Sequence, residues 1–62
     1  MTLDKARELL AAQIQFGGGY QRNGARLIIA DVQREHGLAV ADRLIHEFSL
    51  ESLFGFRPGE AL

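Results

Sequence analysis

Asn23-Gly24-Ala25-Arg26-Leu27-Ile28-Ile29-Ala30-Asp31-Val32-Gln33-Arg34-Glu35-His36 is the stretch on which the fold turns. Taken alone, Leu27-Ile28-Ile29-Ala30 could be a buried strand. Its flanks argue otherwise: Ala25, Arg26, Gln33, Arg34 and Glu35 extend the segment past ordinary strand length with good helix formers. The segment predicts a helix over about 24–36, with Asn23 as its N-cap and His36 in the last turn. Gly37 closes it, and Leu38 is placed for the hydrophobic contact that accompanies such a stop.

Downstream, Leu38, Ala41, Leu44, Ile45 and Phe48 recur at helical spacing, with Asp42, Arg43, His46 and Glu47 on the other side. This is the cleanest amphipathic pattern in the chain and predicts a helix over about 38–48. A single glycine separates it from the preceding helix, so the two should form a tight αα corner or hairpin. Ser49 can cap a short final turn over about 50–54 that stops at Gly55. Arg57-Pro58-Gly59-Glu60 has proline second and glycine third, which suits a type II turn and leaves Glu60-Ala61-Leu62 as a frayed end.

Upstream, a first helix is expected over about 3–16. Thr2 is its N-cap, Asp4 sits in its first turn, and Gly17 follows it as the residue that ends it. Leu3, Ala6, Leu9, Leu10, Ile14 and Phe16 share one broad arc, while Asp4, Arg7, Glu8 and Gln15 lie outside it. Gln13 falls inside that arc. Residues 1–62 therefore read as a single all-α domain, a small bundle of three helices plus a short C-terminal helical turn. Its expected core is Leu10, Ile14, Ile28, Val32, Leu44, Ile45 and Phe48.

The composition is that of a globular domain, 47% apolar and 24% charged with one proline. Folding so short a chain hides roughly 3,500 Å² of apolar surface. At ~25 cal/mol/Å² this contributes about 85 to 90 kcal/mol, against about 90 kcal/mol for ordering the chain at ~1.5 kcal/mol per residue. A fold balanced this closely gains from a further source of burial. The absence of cysteine excludes disulfides and Cys-based zinc sites. His36 and His46 lack the paired spacing of a metal-binding helix, so neither a metal nor another cofactor is expected. Oligomerisation remains, and a homodimer is its simplest form.

Asp4, Lys5, Arg7 and Glu8 interrupt any hydrophobic run of the signal-peptide kind, and no stretch approaches the length of a membrane span. A cytoplasmic protein without membrane contact is expected. The formal charge of −1 gives no global attraction to polyanions.

Any electrostatic role must therefore be local, and the place for it is 17–26, Gly17-Gly18-Gly19-Tyr20-Gln21-Arg22-Asn23-Gly24-Ala25-Arg26. Four of the seven glycines fall here, and no carboxylate lies between Glu8 and Asp31. Free glycine amides beside a helix start could cradle an anion, with Arg22 and Arg26 supplying charge, Asn23 beside them and Tyr20 stacking on a base. The stretch matches neither established phosphate motif: a helix precedes it where the dinucleotide fingerprint needs a strand, and the Walker Gly-Lys-Ser/Thr ending is missing. A plain connector using glycine for its backbone freedom is the simpler reading. A helix-turn-helix reader is disfavoured, because the exposed side of the third helix would offer a polyanion Asp42, Arg43, His46 and Glu47.

Asp42 and His46 stand at i,i+4, as a carboxylate orienting an imidazole would, yet no nucleophile accompanies them and no catalytic residue is assigned. Leu27 and Ala30 lie on the back of the second helix among Arg26, Asp31 and Arg34, giving it a second apolar side. Phe54 and Phe56 either extend that side or pack beneath the corner of the third helix. Gln13 would bond the glycine backbone, pair with its mate across an interface, or simply meet water if the first helix is rotated. The sequence thus reads as a non-enzymatic helical interaction module, a homodimer through Gln13, Leu27 and Ala30 that binds another macromolecule. The alternative is a nucleic-acid or phosphate binder that uses Tyr20, Arg22, Asn23 and Arg26.

Overall fold

The computed structural model describes residues 1–16 and 20–62, with the backbone alone for Phe16, Tyr20 and Gln21. Four helices follow one another, α1 (Leu3–Phe16), α2 (Tyr20–His36), α3 (Leu38–Glu47) and α4 (Leu50–Phe54), and the described residues contain no strand. The all-α bundle is as expected. The central element is α2, against which both α1 and α3 pack, while α4 packs on α3.

Thr2 caps α1 as anticipated: its Oγ1 accepts from the Lys5 amide at 3.1 Å. Helix α2 departs from expectation by beginning four residues earlier, so Asn23 lies inside it and is not its N-cap. Asparagine's capping preference acts only where the chain is turning into a helix. Here Gln21 and Arg22 are good helix formers that carry the helix back past it. Gly24 is also internal to α2, at a point where the Gln13 side chain of α1 lies against its backbone. Gly37 ends the helix with φ 93°, its amide reaching the Gln33 carbonyl at 3.0 Å. Leu38, just beyond this stop, is 43% exposed.

The core comprises Leu10, Ile28, Ile29, Val32, Leu44, Ile45, Leu50 and Phe56, together with Ala6, Ala25 and Ala41, one fully buried alanine from each long helix. Ile14 and Phe48, expected at its centre, are half-buried at its edge. Arg7 of α1 pairs with Glu47 of α3 at 3.0 Å, which ties together the two helices that flank α2.

Ser49 separates α3 from α4 in the left-handed region, φ 55° and ψ 40°, and makes no side-chain capping bond. The expected cap is therefore absent. Gly55 ends α4 with φ 79°. At Arg57-Pro58-Gly59-Glu60 the chain turns as expected, with Gly59 at φ 86° and the Glu60 amide 3.3 Å from the Arg57 carbonyl. The end beyond it is docked, not frayed. Gln33 donates through Nε2 to the Glu60 carbonyl and accepts at Oε1 from the Leu62 amide, both at 2.8 Å.

Candidate functional site

Because α2 begins at Tyr20, the four candidate ligand residues Tyr20, Arg22, Asn23 and Arg26 stand on one helix, and none of them on a loop. The glycine cradle at 17–19 and the Tyr20 side chain lie outside the described residues. At 100° per residue, Arg22, Arg26, Ile29 and Gln33 share one side of α2, and Asn23, Leu27, Ala30 and Arg34 the next. These two rows have different surroundings.

The first row faces the C-terminal segment. Arg22 donates from Nε to the Phe54 carbonyl at 3.0 Å, and its guanidinium lies 5.3 Å from the centroid of the Phe56 ring. Phe54 and Phe56 lie 5.7 Å apart and tilted by 42°. Phe56 is 2% exposed and part of the core, so it does not extend the open side of α2 that carries Leu27. Arg22 is therefore engaged with its own chain. Arg26 is exposed and forms no ion pair among the described residues. Further along, Gln33 holds Glu60 and Leu62. From α3, Asp42 Oδ1 accepts from the Gly59 amide at 2.8 Å. The Asp42 carboxylate is thus turned to the C-terminal turn, and His46 is exposed.

Among the described residues the second row meets nothing comparable. Leu27 is 67% exposed, Asn23 is exposed and Ala30 is half-buried. Arg34 closes the row in an ion pair with Asp31 at 2.6 Å. Gln13 belongs to neither row, because its amide lies over Gly24 between α1 and α2. The interface candidates Leu27 and Ala30 thus stay together on an open face, and Gln13 is half-buried within the helix pair.

The N-terminal end of the chain adds a cluster that sequence reasoning missed. The Met1 ammonium lies 2.5 Å from Glu35 Oε2 and 3.4 Å from Asp31 Oδ2, and the His36 Nε2–H donates to the Met1 carbonyl at 2.9 Å. The bond to Glu35 raises the ammonium above its ordinary 8.0, against partial desolvation and with Asp31 adding to the pull. The Arg34 bond lowers Asp31 below its ordinary 3.8, against desolvation and with help from the Met1 ammonium. These are structural pairs around one end of α2. Among the described residues, no group of three His, Asp or Glu side chains could hold a metal ion, and no helix is long and apolar enough to cross a membrane. Comparison of the chain with family models, curated proteins and solved structures gave no match.

Proposed function

We propose that this chain is a non-enzymatic helical interaction module of the cytoplasm, which forms a homodimer and acts by binding another macromolecule. The observation that carries the reading is Leu27, a large aliphatic side chain 67% exposed in the middle of the longest helix, beside Ala30 and Asn23. Burying such a side chain fully gains about 1.5 to 3 kcal/mol, and a chain this small has little other burial to draw on. A two-fold axis near Leu27 would bring each leucine against its mate, the self-complementary geometry of a C2 interface. Sedimentation equilibrium at micromolar concentration tests this directly. Wild type should sediment as a dimer and Leu27→Glu as a folded monomer; a wild-type monomer whose melting temperature is indifferent to Leu27→Glu overturns it.

A second reading, nucleic-acid or phosphate binding through 17–26, draws on Arg26, which is exposed and without an ion pair among the described residues. It predicts salt-sensitive oligonucleotide binding that Arg26→Ala weakens without loss of helicity. Arg22→Ala alone would be a poor probe, because it also removes contacts to Phe54 and Phe56. Amide shifts that stay unchanged on titration at low salt would sink this reading.

A further inference from the structure

Most of the helix boundaries in this chain carry glycine: Gly17 to Gly19 lie between α1 and α2, Gly37 between α2 and α3, and Gly55 after α4. The boundary between α3 and α4 does not. From Leu38 to Phe54 the sequence LAVADRLIHEFSLESLF contains neither glycine nor proline, yet the chain breaks at Phe48-Ser49. The break is made by Ser49 in the left-handed conformation, which disfavours an L-residue with a side chain. No side-chain cap compensates, and the first amides of α4 have no intrahelical acceptor.

The pattern of apolar residues explains why a helix former should break here. Were α3 continued at 100° per residue through Ser49, Ala41, Leu44, Ile45 and Phe48 would lie on one side, and Leu50, Leu53 and Phe54 on the opposite side. One copy of so small a chain cannot cover both. In the monomer the corner at Ser49 folds the second face back, so that Leu50 is fully buried, while Leu53 is left 53% exposed beside the corner. Beyond it, the C-terminal segment is held at Phe56 in the core and by side chains on its backbone, Gln33 on Glu60 and Leu62 and Asp42 on Gly59. These contacts can be made equally well to a second copy of the chain.

We infer that Phe48-Ser49 is a hinge through which two copies exchange residues 50–62. In the exchanged dimer α3 and α4 run as one helix, Leu38–Phe54, and the apolar face of Leu50, Leu53 and Phe54 enters the partner. Opening relieves the left-handed serine and gives the first α4 amides helical acceptors. Short strained connections of this kind favour exchange. On α2, the row that holds the segment borders the Leu27 row, so a second copy seated at Leu27 lies next to the exchanging segment. The inference rests on the self-association reading and supplies its mechanism.

Two substitutions at Ser49 push in opposite directions. Ser49→Gly removes the left-handed penalty and should weaken dimerisation, whereas Ser49→Ala favours the continuous helix and should tighten it. Each should shift the dimer dissociation constant by roughly tenfold or more, as read by sedimentation equilibrium. In parallel, a mixed wild-type sample of isotope-labelled and unlabelled chains should give intermolecular nuclear Overhauser contacts from the Phe56 ring to core methyl groups. A dimer whose Phe56 contacts are all intramolecular overturns the exchange and leaves the dimer standing. A monomer at every concentration, for both wild type and Ser49→Ala, overturns both.

Discussion

Arg22 of α2 covers the ring of Phe56 at 5.3 Å and holds the carbonyl of Phe54 at 3.0 Å, so one side chain joins the start of the central helix to the end of the last. A cation over an aromatic face and a charge-assisted hydrogen bond each stabilise modestly at an exposed site. Arg22→Ala should lower the unfolding free energy by about 1 kcal/mol in urea titrations. Arg22→Lys should not restore it, because the ammonium lacks the planar geometry that reaches ring and carbonyl together. Arg26→Ala, with no such contacts, serves as the control and should stay within about 0.5 kcal/mol of wild type.

Gln33 uses both ends of its amide on the C-terminal backbone, donating to Glu60 and accepting from Leu62. Gln33→Ala should cost about 1 to 2 kcal/mol and raise the hydrogen-exchange rate of the Leu62 amide. Gln33→Glu keeps the acceptor but sets a carboxylate oxygen against the Glu60 carbonyl. It should therefore protect the Leu62 amide while still lowering stability. Equal exchange in all three proteins would mean that the segment is held by Phe56 and Asp42 without help from Gln33.

Gly24 and Gln13 should behave as a coupled pair. A methyl at position 24 would collide with the Gln13 amide, which is the far end of a flexible side chain and can swing away. In a Gln13→Ala background Gly24→Ala should stabilise by about 1 kcal/mol, the helix-interior difference between the two residues. With Gln13 present the gain should be smaller. A double-mutant cycle over the four proteins reads the coupling, and destabilisation in both backgrounds would rule out this account.

The pH dependence follows from Asp31. Its carboxyl is lowered by Arg34 and, less, by the Met1 ammonium, so its contribution is present above its unfolded value near 3.8 and is lost as pH falls through the still lower folded value. The Met1 ammonium is raised above 8.0, so its contribution is complete below that value and is lost as pH rises through the folded one. The stability difference between wild type and Asp31→Asn should therefore be flat across the neutral range and shrink at both ends. A difference constant from pH 3 to pH 10 would show that the Asp31 charge is not coupled to folding.

The helices were legible because their apolar arcs are, and Thr2 and Gly37 act where their preferences suggest. Asn23 misled, since a side chain suited to capping carries no information about whether the helix already runs through it. The docking of the C-terminal segment had a weaker signal. Proline and glycine marked the turn at 57–60, but Gln33 and Asp42 grip main-chain atoms, which every residue possesses and no composition reveals. The site was half legible: Leu27 stayed outward as its position on α2 implies, while Arg22, read as a free cation, found partners 32 and 34 residues away in the chain.

Ala6, Ala25 and Ala41 set the gauge of this bundle. Each is fully buried and contributes a single carbon beyond its backbone, so what these positions specify is distance more than hydrophobicity. A valine or leucine there would add apolar area yet wedge two helices apart, and a well-packed interior resists that added volume. The chain is thereby bound to a narrow core of fixed width, and any gain in burial open to it lies outward, on surfaces that a single copy leaves uncovered.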